Sequence, residues 1–215
     1  MVSNRGDHRV VSNQSDHPVV SNAPDDRVVA KQPYHHGDLR AVILGRAAEL
    51  VAERGADGLS LRELAREAEV SHAAPAHHFG DRRGLFTALA AEGFRLLATA
   101  LRDARPRFID AALAYVGFAI EHRGHYAVMF DRSVVDPDDP DLLAAQAAAG
   151  AELADGVSTL GDPHAAADPA GAELAAWSLV HGFAMLWLND AVPADIAGTN
   201  PAVTVERIAR MLFDG

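Results

Sequence analysis

From position 38 onward the apolar side chains recur at helical spacing, and no convincing period-two alternation occurs along the chain. Leu39, Ile43, Ala47, Leu50 and Val51 form the first stripe, and Gly55 offers its C-terminal stop. Ser60 and Glu63 then sit at capping-box spacing, with Leu59 and Leu64 at the two staple positions. The helix so predicted is short and turns Leu61, Leu64, Ala65 and Ala68 inward. Another start is predicted at Ser71, with Pro75 tolerated near a first turn and an end near Phe79 and Gly80. Asp81 caps a fourth predicted helix whose stripe Leu85, Phe86, Leu89, Phe94, Leu97 and Leu101 runs on to Pro106.

The second half is predicted to be helical throughout. Phe108, Ile109, Leu113, Val116 and Ile120 are apolar on more than one side, which predicts a buried helix. A short segment over 125–130 follows, and then the acidic run 136–141, expected as a surface loop. Residues 142–160 are alanine-rich and predicted helical, and Asp168 with Pro169 forms a cap and first-turn pair for a helix reaching Asn189. Asn200 and Pro201 repeat the device for a last helix carrying Val205, Ile208, Ala209 and Leu212. The 169–189 helix is apolar nearly all round. It therefore needs a partner surface as well as its own core, with Phe183 and Leu186 as candidate partner-facing residues, and dimerisation is the expected answer.

Two short helices joined by about three residues, within a set of four, describe a helix-turn-helix unit. Arg62 and Arg66 lie one turn apart on the outer face of the first short helix, His72, His77 and His78 decorate the second, and Arg82 and Arg83 open the fourth. Helix starts attract anions through their free N–H groups, so Arg82 is a candidate phosphate anchor.

The stretch LRAVILGRAAELVAERGADGLSLRELAREAEVSHAAPAHHFGDRRGLFTAL, ending at Leu89, resembles the N-terminal DNA-binding domain of the TetR family of bacterial transcriptional regulators. The resemblance implies that Ser60 and Arg62 open the support helix and that 71–79 is the recognition helix. Its DNA-contacting set would be Ser60, Arg62, Ser71, His72, Ala73, Ala76, His77, His78 and Arg82. Three positions depart from the family pattern. Glu69 stands where the interhelix turn usually has glycine, which implies either altered turn geometry or a tolerated strain of about 1–2 kcal/mol. Ala76 replaces an aromatic that touches the DNA backbone, and Arg82 replaces a phosphate-holding lysine with a planar fork. Trp177, His181 and Gly182 resemble the Trp-His-Gly type of TetR C-terminal domain.

Composition changes this picture at a few points. Half the chain is apolar (49%), which excludes a disordered protein, and the absence of cysteine excludes disulfides, thiolate metal sites and cysteine nucleophiles. The apolar stretch 174–188 is shorter than the roughly 18–20 residues of a membrane span, and no secretory signal is visible, so a cytoplasmic bacterial protein, nucleoid-associated when bound to DNA, is expected. Residues 31–105 carry a net charge of +1 and residues 106–215 one of −11, which argues against nonspecific coating of nucleic acid but leaves room for a local basic face. Residues 1–31 repeat with a period of nine, starting at Met1, Val10, Val19 and Val28, and such units carry too few large apolar groups for a core.

The expected architecture is all-α: a disordered tail over 1–33, a three-helix DNA-binding domain over 34–83, and a helical effector-binding and dimerisation bundle over 84–215. Within the bundle, Tyr115, His122, Tyr126, Met129, Phe130, Trp177, His181 and Met185 are the candidate effector-pocket residues. The chain has no His-Glu-x-x-His, no glycine-rich phosphate loop and no Gly-x-Ser-x-Gly elbow, so no catalytic residue, metal or cofactor is expected. The function expected is that of a homodimeric, effector-released repressor on a pseudo-palindromic double-stranded operator, with no membrane partner. The alternative is a dimeric helical small-molecule-binding protein that has lost DNA binding, for which Glu69 and Ala76 speak. A His-dependent metalloenzyme is a third reading, and it would require stoichiometric zinc.

Overall fold

The structure, a computed structural model, describes residues 36–213 apart from 199. The expected tail over 1–33 lies outside the described residues. Among the described residues eleven helices follow one another: α1 (His36–Arg54), α2 (Leu61–Glu67), α3 (Ala74–Phe79), α4 (Arg82–Asp103), α5 (Phe108–Glu121), α6 (Arg123–Met129), α7 (Pro140–Ser158), α8 (Pro163–Ala167), α9 (Pro169–Leu188), α10 (Ala194–Ala197) and α11 (Pro201–Phe213). Among the described residues there is no strand, so the all-α reading holds.

Helix starts are set by short polar side chains that take a free backbone N–H. Ser60 accepts from Glu63 N (3.2 Å) and Asp81 from Gly84 N (2.8 Å). Asp139, Asp162 and Asp168 do the same for α7, α8 and α9, each followed by proline in the first turn. Asn200 likewise accepts from Ala202 N (2.9 Å). Half of the capping box forms as expected, because Ser60 caps α2, but the Glu63 carboxylate is held by Arg54 at 2.6 Å instead of returning to Ser60. The acidic run is likewise only partly a loop. Asp139 and Pro140 begin α7, Val135 is buried, and the Asp136 N–H donates to Thr87 Oγ1 at 2.8 Å.

The reading helix starts later than the sequence suggests. Ala74 opens α3, and Ser71 contributes only its carbonyl, which accepts from Ala74 N at 3.0 Å. The residues between form a turn, because Pro75 has no N–H to give and fits only near the helix start. Glu69 has φ 54°, so the interhelix turn keeps the left-handed geometry that glycine usually supplies and tolerates the strain.

The core is continuous from α1 to α11, with Ile43, Leu50, Leu64, Phe86, Leu89, Tyr115, Leu142 and Val205 among its buried members. Helix α4 belongs to both halves: Leu85, Phe86 and Leu89 are buried near α1 to α3, and Phe94, Leu97 and Leu101 further along against the bundle. The expected boundary at 83/84 thus falls inside α4. It is also the helix long and apolar enough, by length and composition, to cross a membrane, and 61% of that window is buried inside the molecule.

Two contacts tie α1 to α3 to the bundle. Arg83 Nε donates to the Val135 carbonyl at 2.9 Å, which pins the segment between α6 and α7 onto the start of α4. On the other side α6 lies against α1 so closely that a Cβ on Gly124 would overlap the Ala48 carbonyl oxygen. Overpacking at such a point costs about 1–3 kcal/mol. Gly124→Ala is therefore expected to lower unfolding free energy by about that much in a denaturant titration, whereas Gly117→Ala, where the added carbon meets nothing within 4 Å, should not.

Candidate functional site

Two regions gather the residues singled out from the sequence. The first is the outer surface of α2 and α3. Ser60, Arg62, Ser71, His72, Ala73, Ala76 and His77 are all exposed there, and His78 is half-buried against Phe79 and His77. Arg62 makes no ion pair among the described residues, so its charge is available to an incoming anion. Arg66, Arg54 and Arg46 differ in this respect, since each is engaged by glutamate.

Arg82 has a different setting from the one expected. Its Nε donates to the Leu59 carbonyl (3.0 Å) and its Nη2 to the Ala56 carbonyl (2.6 Å), and the guanidinium lies 4.9 Å from the Phe86 ring centre. The planar fork thus holds the α1–α2 loop onto α4, a geometry a lysine cannot reproduce. Arg40, which sequence reasoning passed over, lies 5.2 Å from the Phe79 ring centre beside α3 and is exposed. Its place on α1 gave no sign that the fold brings it next to α3.

The second region is a cavity of about 490 Å³ between α4, α5, α7 and α9. Of the expected pocket residues, Tyr115, Phe130 and Trp177 line it. His181 and Tyr126 stand behind them: His181 Nδ1 is 3.0 Å from the Tyr115 hydroxyl and 2.9 Å from that of Tyr126. His122, Met129 and Met185 do not line it. His122 ends α5 beside Phe118, Met129 is packed against Gly93, and Met185 faces outward, because each sits on a different side of its helix from the cavity. The lining residues missed include Leu97, Leu101, Gln146, Glu173 and Leu174. Glu173 lies one turn before Trp177, so its share in that face was readable from spacing.

Burial fixes the protonation of the polar group behind the cavity. The Tyr115 hydroxyl is pushed up to about 12 and that of Tyr126 is raised too, because burial disfavours the phenolate. His181 is lowered for the same reason, burial disfavouring the imidazolium. All three are neutral at pH 7, and of the three only Tyr115 is among the described residues that line the cavity, its hydroxyl turned to His181. Elsewhere His125 Nε2 is 3.0 Å from Glu92, and among the described residues no group of three His, Asp or Glu side chains could hold a metal.

A family profile described as bacterial regulatory proteins, tetR family, matches residues 43–89, and one described as tetracyclin repressor-like, C-terminal domain, matches residues 108–212. A solved protein of unknown function from Rhodococcus sp. RHA1 is 36% identical, with a TM-score of 0.67, covering 86% of this chain and 98% of that one. A bacterial regulatory protein in the tetR family, also from Rhodococcus RHA1, shares the fold at 17% identity and TM-score 0.64, over 82% of this chain and 95% of that one. So does a TetR-family transcriptional regulator from Bordetella parapertussis 12822, at 20% identity and TM-score 0.58, over 83% and 95%. No curated protein matches the chain.

The lowered His181 fixes a pH dependence. Between its folded value and the unfolded one of about 6.5, the unfolded chain binds more protons, so stability rises with pH there. Its contribution is complete above about 6.5 and is lost as pH falls toward the folded value. The fall in melting temperature from pH 7.5 to 5.0 is expected to be smaller in His181→Gln than in the wild type.

Proposed function

The chain belongs to the TetR family of bacterial transcriptional regulators and is a DNA-binding regulator, and from that premise we propose that it is a homodimeric, cytoplasmic repressor released by a small molecule, with no enzymatic role. The observation that carries the reading is the exposed face of α2 and α3, polar and ion-pair-free at Arg62, joined through α4 to an apolar cavity. Helix α3 would enter the major groove, with Ser71, His72, Ala73, Ala76, His77 and His78 nearest the bases and Ser60 and Arg62 on the backbone. The paired half-sites would be about one helical turn apart. The −11 charge of residues 106–215 supports docking by one end only, since the rest of the molecule repels DNA. Effector in the cavity would act through α4 and the α1–α6 contact, weakening DNA binding by its differential affinity for the two states.

Helix α9 supports the dimer. It shows three faces: Ala176, Val180, Phe183 and Ala184 are buried in the chain's own core, Glu173 and Trp177 border the cavity, and Ser178, Met185 and Leu186 face outward. Phe183, a partner-facing candidate from sequence, is thus a core residue, and Leu186, half-exposed at 51%, is the better one. A Cβ on Gly182 would meet nothing within 4 Å, so the chain's own packing leaves room for a second helix to approach there. Val203 and Met211 on α11 are exposed too.

Arg62→Ala is expected to weaken all duplexes alike and to lower the salt slope of operator affinity by about 1 per subunit, with melting temperature unchanged. Arg82→Ala should lower melting temperature as well, by releasing the Ala56 and Leu59 carbonyls. An unchanged salt slope in Arg62→Ala would remove that residue from the interface. Leu186→Glu is expected to give monomers by light scattering, and a variant that stays dimeric would place the interface elsewhere.

A further inference from the structure

The cavity carries information about charge. Of the described residues that line it, Glu173 is the one acidic side chain, and no lysine, arginine or histidine is among them. Glu173 is half-buried and makes no ion pair or hydrogen bond among the described residues. At the start of α9 the Gly171 N–H is taken by Asp168 at 3.0 Å and not by Glu173. Around it stand aromatic rings. Phe94 and Phe130 meet edge to face with centres 5.4 Å apart, and Phe130 and Trp177 are 6.3 Å apart. An unpaired carboxylate beside several aromatic faces attracts a diffuse positive charge through both Coulomb and ring-quadrupole terms. The opposite sign is opposed twice, by Glu173 and by the acidic second half of the chain.

We propose that the cavity takes a lipophilic monocation, such as an aromatic or quaternary ammonium compound, with Glu173 as counter-ion and Trp177 and Phe130 against its apolar body. Gln146, on α7, lines the same cavity and supplies a neutral amide. The volume of about 490 Å³ lies within the range of pockets for drug-sized ligands. The inference rests on the reading of this cavity as the effector site.

The test uses two ions of nearly the same shape and opposite charge, tetraphenylphosphonium and tetraphenylborate, titrated calorimetrically into the full-length protein. Tetraphenylphosphonium is expected to bind at least tenfold more tightly. Glu173→Gln should weaken it about fivefold or more, and Glu173→Lys should reverse the preference. Gln146→Glu, which adds a second carboxylate, should tighten it and serves if the Glu173 variants fail to fold. Equal affinity for the two ions, no binding of the cation, or cation binding indifferent to Glu173 and Gln146 would each overturn the proposal. Operator affinity measured in parallel separates the two claims. A Glu173-dependent cation that leaves DNA binding unchanged sinks effector release and leaves the cation site standing.

Discussion

The backbone of α6 passes against that of α1 at Gly124, and the arrangement of the molecule depends on this contact. With a side chain at position 124 the Ala48 carbonyl would be displaced, and α1 would have to move away from the bundle. Since α1 packs on both α2 and α3, its seat decides where the exposed face of those helices lies. Arg83 holds the other flank through Val135. Interiors this closely packed respond to change by shifting rigid elements and not by yielding smoothly.

Arginines in this chain divide into those that build and those that are free. Arg82 and Arg83 donate to loop carbonyls, while Arg95 with Asp141 and Arg102 with Glu152 cross from α4 to α7. Exposed pairs of that kind add at most about 1 kcal/mol each, so their role is orientation more than stability. Arg62, on the outer face of α2, makes no ion pair among the described residues.

The cavity has the opposite character. Among its described lining residues Glu173 is the one acidic side chain, and the tyrosine–histidine group behind it is held uncharged by burial. Tyr115 joins the two, since its ring lines the cavity and its hydroxyl sits 3.0 Å from His181. Tyr115 thereby links the cavity to His181 on α9.

Helix class, the number of long helices, their caps and the family were readable from local pattern. Apolar period, proline and glycine placement and polar cap residues act within a few positions of one another, which is why Ser60, Asp81, Asp168 and Asn200 were identifiable as caps. The left-handed turn at Glu69 was legible only as one of two options, and the tertiary structure decided for strain. Local pattern misjudged the start of α3, where a proline and the neighbouring turn compete with a serine cap. It could not tell that Arg82 faces loop carbonyls, that Phe183 is buried while Leu186 is not, or that His122 stays out of the cavity that Tyr115 lines. Those facts depend on which side of a helix meets which neighbour across long stretches of chain. An all-round apolar helix such as α9 carries no pattern that ranks its faces, so only the packing of α5, α7, α8 and α11 around it assigns them.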